Sequence, residues 1–111
     1  MTFPDGFRFG SGASGAALEG TAPAADLALW EHEGRAPADP HGAGFAASFR
    51  DDLARRADLG VADLRLTLEW ARLEPAEGKR DREAEEHLRL VLEAARDAGL
   101  HVWGCLHDGT L

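Results

Sequence analysis

Apolar residues recur at every fourth position along the segment 45–57. Phe45, Phe49, Leu53 and Ala57 hold these positions, and charged residues fill most of the places between them. This spacing is typical of an amphipathic helix that turns one face toward a core. Glycine readily adopts the left-handed conformation that closes many helices, so we expect this helix to end near Gly60.

A second unit of the same kind follows along the chain. The segment 61–70 alternates leucines with polar residues, which predicts a strand. Asp81 is a suitable N-cap for a second helix, and Gly99 is a suitable residue to close it. The apolar segment 100–106 then predicts another strand. The two helix exits resemble one another, because each leads through a glycine into an apolar strand.

The first third of the chain has a weaker pattern. Residues 7–9 alternate apolar and polar side chains, which predicts a short first strand. The glycine-rich segment 10–20 predicts a tight loop, and the segment 21–44 predicts a long surface loop with a helical turn around 25–33.

The predicted order of strand, helix, strand, helix, strand indicates an α/β fold with a parallel sheet and right-handed crossovers. Periodicity leaves two architectures open, a doubly wound sheet and the opening β/α units of a (β/α)8 TIM barrel. A closed barrel needs ~250 residues, whereas this chain has 111. Residues 1–111 would then form part of a single barrel domain, with about three strands and two crossover helices. The exposed sheet edges would allow self-association.

Composition narrows the range of partners. Hydrophobic residues make up 44% and charged residues 29% of the chain, as in ordinary globular domains. The formal net charge of −8 argues against nucleic acid or an anionic membrane as a partner. No segment approaches the ~20 apolar residues that cross a bilayer. The first residues lack a secretory pattern, so we expect a cytoplasmic location.

The single cysteine, Cys105, has no partner for an internal disulfide. It lies in a predicted apolar strand, and no basic residue lies close to it along the sequence. A buried packing thiol is therefore expected rather than a nucleophile.

Two other kinds of site receive little support from the sequence. Gly10, Gly12 and Gly15 partly fit the spacing of a dinucleotide-binding loop, but a loop rather than a clear helix is expected after them. His101 and His107 share the same parity along a strand, yet six residues of strand span ~20 Å, too far for one metal ion. We expect no metal and no cofactor.

Several stretches resemble the opening of family 1 glycoside hydrolases, in the same order and over nearly the whole chain. The first stretch, FPDGFRFG at 3–10, resembles FPxGFxFG, and the second, LEG at 18–20, resembles the close of QIEG. The third, LWE at 29–31, stands in the place of IWD. Further along, LGV and the RLTLEWARLEPAEG run within 59–78 stand in the place of LGV…YRFSISWxRIxPxG, and CLHDGTL at 105–111 stands in the place of TLYHWDL.

This resemblance implies the N-terminal fragment of a retaining β-glucosidase-like enzyme that hydrolyses O-glycosidic bonds of β-glucoside-type sugars, with a small carbohydrate as its partner. The family's two catalytic carboxylates follow the fourth strand and end the seventh, so no catalytic residue is expected within this chain. Glu19, Glu69 and Glu74 are not expected to replace them. The fragment alone is expected to be inactive.

The resemblance also implies three substrate-binding residues, Asp108, Arg65 and His107. Arg65 matches a family arginine that points into the barrel and supports the nucleophilic glutamate. Ala17 stands where the family has a sugar-binding glutamine, and Asp108 and Gly109 stand where it has histidine and tryptophan. The Asp108 carboxylate could accept hydrogen bonds from two sugar hydroxyls, or it is only a loop carboxylate. His107 lies in the place of a tyrosine and would replace the missing histidine if the register slipped by one.

These departures leave a second function open, a non-catalytic carbohydrate-binding relative of the barrel enzymes or a remnant of one. Trp30, Trp70 and Trp103 could stack on sugar rings, but packing roles are expected for all three.

Overall fold

Three parallel strands form one sheet in the computed structural model, which describes residues 2–108. The strands are β1 (Gly10–Gly12), β2 (Asp63–Thr67) and β3 (His101–Cys105), and β2 lies between the other two. Both pairings are parallel. The predicted α/β class and the incomplete parallel sheet are confirmed.

Five helices accompany the sheet, in the order α1 (Gly15–Glu19), α2 (Asp26–His32), α3 (Phe45–Asp58), α4 (Trp70–Leu73) and α5 (Arg82–Asp97). Helices α3 and α5 are the two predicted crossovers, and they connect β1 to β2 and β2 to β3. Helix α2 confirms the predicted helical turn in the long loop. None of the helices described is both long and apolar enough to cross a membrane.

Both crossover helices end as the sequence predicts. Gly60 has φ 78° and Gly99 has φ 76°, the left-handed region in which only glycine is free of strain. After α3, the Val61 N–H donates to the Arg56 carbonyl at 3.1 Å, so the orphan carbonyl of the last turn is satisfied. The same arrangement closes α5. At its start, the Asp81 carboxylate accepts hydrogen bonds from two backbone N–H groups, as predicted.

The core lies between one face of the sheet and the two crossover helices. Leu64 and Leu66 alternate along β2 and are buried against the helices. The other buried members of this cluster are Leu18, Phe45, Phe49, Leu53, Val91, Ala95 and Leu100. The helical stripe predicted from the sequence therefore does face the core.

The predicted first strand is displaced. The strand is Gly10–Gly12, not residues 7–9, and the aromatic residues before it instead stack on one another, with Phe3 and Phe7 centroids 4.4 Å apart. A Cβ atom added to Gly12 would lie 2.6 Å from the Cβ of Arg65. Glycine is thus required where β1 approaches β2, and this close approach is invisible in the local pattern.

The predicted loop over 10–20 contains a helix. Ser14 begins α1, and its hydroxyl oxygen accepts a hydrogen bond from the Ala17 N–H at 3.2 Å. The four glycines within 10–20 favour a loop, but the Ser14 N-cap and the alanines that follow it stabilise a helix.

Candidate functional site

The face of the sheet opposite the helices carries several of the polar residues that the sequence singled out. Side chains alternate along a strand, so Asp63, Arg65 and Thr67 point away from the buried Leu64 and Leu66. Residues paired in register share a face, and the partners of these three are His101, Trp103 and Cys105 of β3. We call this surface the open face; Gly10 and Gly12 of β1 complete it.

Arg65, Thr67 and Asp108 meet at one end of the open face. The Arg65 Nη2 donates to Asp108 Oδ1 at 2.7 Å, and Nη1 donates to Oδ2 at 3.3 Å. The Thr67 hydroxyl donates to the same Oδ2 at 3.1 Å. Thr67 ends β2 and Asp108 follows β3, so this cluster lies at the carboxyl end of the strands, the end at which barrel enzymes bind their substrates.

The three side chains stabilise one another electrostatically. Hydrogen bonds from the Arg65 guanidinium, reinforced by the Thr67 hydroxyl, hold the pKa of Asp108 below its usual value. The hydrogen bonds to Asp108 in turn raise the pKa of Arg65. Both groups are therefore charged at neutral pH, and the charge of each is balanced by the other.

The environment of Cys105 differs from the prediction of a buried thiol with no basic neighbour. The thiol is only partly buried. Its sulfur lies 3.2 Å from Arg65 Nη2 and donates to the His107 carbonyl at 3.2 Å. Arg65 reaches the sulfur from the adjacent strand, so this contact cannot be inferred from the residues that neighbour Cys105 in sequence.

Three further residues stand at positions that the resemblance compares with the family's sugar site: His107, Ala17 and Gly109. The His107 side chain is exposed, and its backbone oxygen accepts the hydrogen bond from Cys105. Ala17 is exposed on α1. Gly109 lies outside the described residues. Substrate binding by Arg65, Asp108 and His107 stays a prediction.

A second polar network, which was not predicted from the sequence, occupies the opposite end of the open face. Asp63 Oδ2 accepts from Arg8 Nε at 2.7 Å, and Oδ1 accepts from Trp103 Nε1 at 2.9 Å. The hydrogen bond from Trp103, together with Arg8, lowers the pKa of Asp63. Asp63 and Trp103 lie on different strands, and the pairing of β2 with β3 brings them to one face.

The tryptophans do not have the packing roles that were expected. Trp30, Trp70 and Trp103 are 46%, 58% and 62% exposed, respectively. The Arg35 guanidinium covers the ring of Trp30 at 4.5 Å from its centroid. Trp103 lines a shallow depression of about 390 Å³ on the open face, beside Arg65 and Asp63.

The three glutamates that are not expected to be catalytic, Glu19, Glu69 and Glu74, lie at a cavity or in a loop. Glu19 contacts His87 Nε2 at 2.8 Å and lies 4.0 Å from Arg72 Nε. With Glu69 it lines a cavity of about 470 Å³ that also contacts α4 and α5. Glu74 accepts a hydrogen bond from the Gly78 N–H at 2.7 Å, as a loop carboxylate would. Within residues 2–108, no group of three or more His, Cys, Asp or Glu side chains is arranged to hold a metal ion.

Solved structures of β-glycosidases match this fold over nearly the whole chain. The β-glycosidase BGL167 is 34% identical with a TM-score of 0.83, and the match covers 97% of this chain and 27% of that protein. The β-glycosidase from Pyrococcus horikoshii is 28% identical with a TM-score of 0.89, over 98% of this chain and 26% of that one. A β-glucosidase designated 1317 is 33% identical with a TM-score of 0.86, covering 95% and 27%. No family model and no curated protein matches the chain.

These matches give the chain the fold of part of a barrel-type β-glycosidase rather than that of a doubly wound nucleotide-binding module. A family 1 β-glucosidase from Thermotoga maritima has the same fold, with a TM-score of 0.80 at 18% identity. The predicted resemblance to family 1 glycoside hydrolases is confirmed. The chain spans about a quarter of the length of the structures that it matches.

Proposed function

We propose that this chain is the N-terminal part of a retaining glycoside hydrolase that breaks O-glycosidic bonds of β-glucoside-type sugars in carbohydrate metabolism. The observation that carries the proposal is the cluster of Arg65, Thr67 and Asp108 at the carboxyl ends of the strands. The β-glycosidases and β-glucosidase that the chain resembles support the substrate class. A cytoplasmic location stays a prediction.

The hydrogen bonds of Asp108 limit what it can offer a sugar. An ionised carboxylate has about four acceptor sites. Arg65 supplies two donors and Thr67 supplies a third. About one acceptor site then remains, so Asp108 would accept one sugar hydroxyl rather than the two suggested by its chemistry alone. His107, the residue before Asp108, would add a second polar contact at the edge of the site.

We place the catalytic carboxylates outside residues 1–111. A retaining mechanism needs two carboxyl groups ~5–5.5 Å apart, one as nucleophile and one as acid and base. Glu19 is held by His87 next to the cavity described above, and Glu74 is held by a loop N–H. The chain would therefore contribute sugar contacts and the support of Arg65, while the chemical step depends on other segments.

The test is an assay of the purified chain with an aryl β-glucoside. We expect no hydrolysis above background, and the variants Glu69→Gln and Glu19→Gln should not change this result. Turnover that persists through further purification and disappears in either variant would place a catalytic carboxylate within this chain and contradict the proposal.

One observation favours a second candidate function, a non-catalytic barrel that binds carbohydrate. Asp108 already neutralises Arg65, the arginine that the resemblance assigns to the nucleophilic glutamate. An arginine held in this way stabilises a second carboxylate less strongly. The coding sequence downstream distinguishes the two: an Asn-Glu-Pro motif after a fourth strand supports the enzyme, and its absence supports the binding protein.

A further inference from the structure

Helix α1 begins beside the cluster of Arg65, Thr67 and Asp108. A Cβ atom placed on Gly15, the first residue of α1, would lie 3.6 Å from Thr67 Cβ and 3.7 Å from Thr67 Cγ2. The Thr67 methyl group therefore faces α1, while the Thr67 hydroxyl donates to Asp108 Oδ2 at 3.1 Å. Because a β-branched side chain is stiff at χ1, the position of Gly15 limits the rotamers in which Thr67 can hold Asp108.

Helix α1 is too short to keep this position by itself. It has five residues, of which Leu18 is the buried one. An isolated helix shorter than ~12–15 residues is only marginally stable in water. The Ser14 N-cap satisfies one N–H group at the start of α1 and makes no contact across the sheet. Contacts with other segments must therefore hold α1 against Thr67.

Glu19, the last residue of α1, joins this helix to distant segments. Glu19 Oε1 lies 2.8 Å from His87 Nε2 of α5, and Oε2 lies 4.0 Å from Arg72 Nε of α4. Arg72 Nη2 also donates to the Gly20 carbonyl at 2.7 Å. The His87 ring packs edge-on against the core residue Phe49, with the ring centroids 5.5 Å apart. Glu19 is thus attached to a ring whose orientation the core determines.

These contacts lie on the helix side of the sheet, away from the open face. Glu19, Arg72 and His87 line the cavity of about 470 Å³ together with the core residues Leu66 and Val91. All three polar side chains are partly buried. Partly buried pairs are screened less by salt than exposed pairs, which contribute little to stability. The network can therefore hold α1 in place.

We propose that Glu19 is a positioning residue of the sugar site, an inference that rests on the function proposed above. Through His87 and Arg72, Glu19 holds α1 at the carboxyl ends of the strands. Helix α1 in turn keeps the Thr67 hydroxyl on Asp108. The acceptor site that remains on Asp108 then has a fixed direction toward the sugar. Glu19 does not contact the sugar in this arrangement, so it acts on binding only through Thr67.

The first test measures the χ1 rotamer of Thr67 in the purified chain, from the three-bond couplings to its methyl carbon. We expect one rotamer in the wild type and rotamer averaging in Glu19→Ala and in His87→Phe, which keeps a ring against Phe49 but lacks Nε2. Glu19→Gln should retain one rotamer, because its amide offers both a donor and an acceptor to His87. The matched control is Glu86→Ala, which removes an exposed carboxylate paired within α5 and should change nothing. Circular dichroism checks that each variant retains the fold.

The second test links this rotamer to sugar binding. The Kd for methyl β-glucoside, measured by NMR titration, should rise about threefold to tenfold in Glu19→Ala, as expected when one hydrogen bond in the site is lost. Thr67→Val should cause a similar rise. The double variant should bind no more weakly than Thr67→Val alone, because both changes remove the same hydrogen bond. Full additivity of the two losses, or one Thr67 rotamer in both Glu19→Ala and His87→Phe, would overturn the proposal.

The titration also separates this proposal from the proposed function. Shifts at Thr67 and Asp108 with the same Kd in the wild type and in Glu19→Ala would contradict the positioning role of Glu19 alone. No shifts at Thr67 and Asp108 in the wild type would contradict the sugar site itself, and the positioning role with it.

Discussion

Arg65 and Asp108 lie 43 residues apart in sequence and are joined by two hydrogen bonds across adjacent strands. This ion pair ties the segment after β3 to the middle of β2. It also gives the open face a fixed charged group at the carboxyl end of the strands. Substitutions in this ion pair therefore test both the stability of the sheet and the proposed sugar site.

The ion pair predicts a specific pH dependence of stability. The pKa of Asp108 is lowered in the folded state by Arg65 and then by Thr67. A depressed carboxyl pKa stabilises the fold above the unfolded value of about 4, and this contribution is lost as the pH falls through the folded pKa. Asp108→Asn should thus lower Tm at pH 7, and the difference from the wild type should shrink below about pH 4.

The control for this measurement is Asp97→Asn. Asp97 pairs with its exposed neighbour Arg96, and both side chains are more than 70% exposed. Exposed pairs of this kind contribute little to stability. A Tm difference for Asp108→Asn that stays constant from pH 7 to well below pH 4, or equal behaviour of the two variants, would contradict the prediction.

The helix stripe that faces the sheet should dominate stability. Leu53 of α3 is 0% exposed, and its replacement by Ala should cost about 2–5 kcal/mol through lost burial and a residual cavity. The matched variant Leu59→Ala changes a side chain that is 81% exposed, so it should have little effect. Denaturant unfolding at equal protein concentration gives both values. Similar losses for the two variants would show that α3 does not pack as described.

Gly12 should be intolerant of any side chain. Its substitution by Ala would bring a Cβ to 2.6 Å from Arg65 Cβ and 3.0 Å from the Arg65 carbonyl oxygen, so the backbone of β1 must move. We expect a loss of about 1–3 kcal/mol. Gly104→Ala is the control, because its Cβ would meet Leu68 Cδ1 at an ordinary 3.4 Å. The two variants should differ clearly in the Tm of thermal unfolding. Equal Tm values would contradict the close approach of β1 to β2.

Local patterns predicted the repeating part of the fold well. The leucine alternation located β2, the four-residue spacing located α3, and Gly60 and Gly99 marked the helix exits. Each of these signals depends on residues that are near one another in sequence. The order of elements then predicted the parallel sheet.

Features that depend on contacts between distant segments could not be predicted in this way. The first strand was displaced because Gly12 is selected by its approach to Arg65, not by alternation. The Arg65 contact with Cys105 and the Asp63 network with Trp103 join different strands. The exposure of Trp103 follows from the open face, which no described element covers.

The most direct test of the proposed sugar site is an NMR titration of the chain with methyl β-glucoside, followed through its backbone amide signals. We expect shifts at Thr67 and at Asp108 that are lost in Asp108→Ala and retained in Asp63→Ala. Asp63 is the matched control, because it is also ion-paired on the open face but lies at the opposite end of β2. Shifts that survive in Asp108→Ala, or that follow Asp63 instead, would contradict a sugar site at the carboxyl ends of the strands.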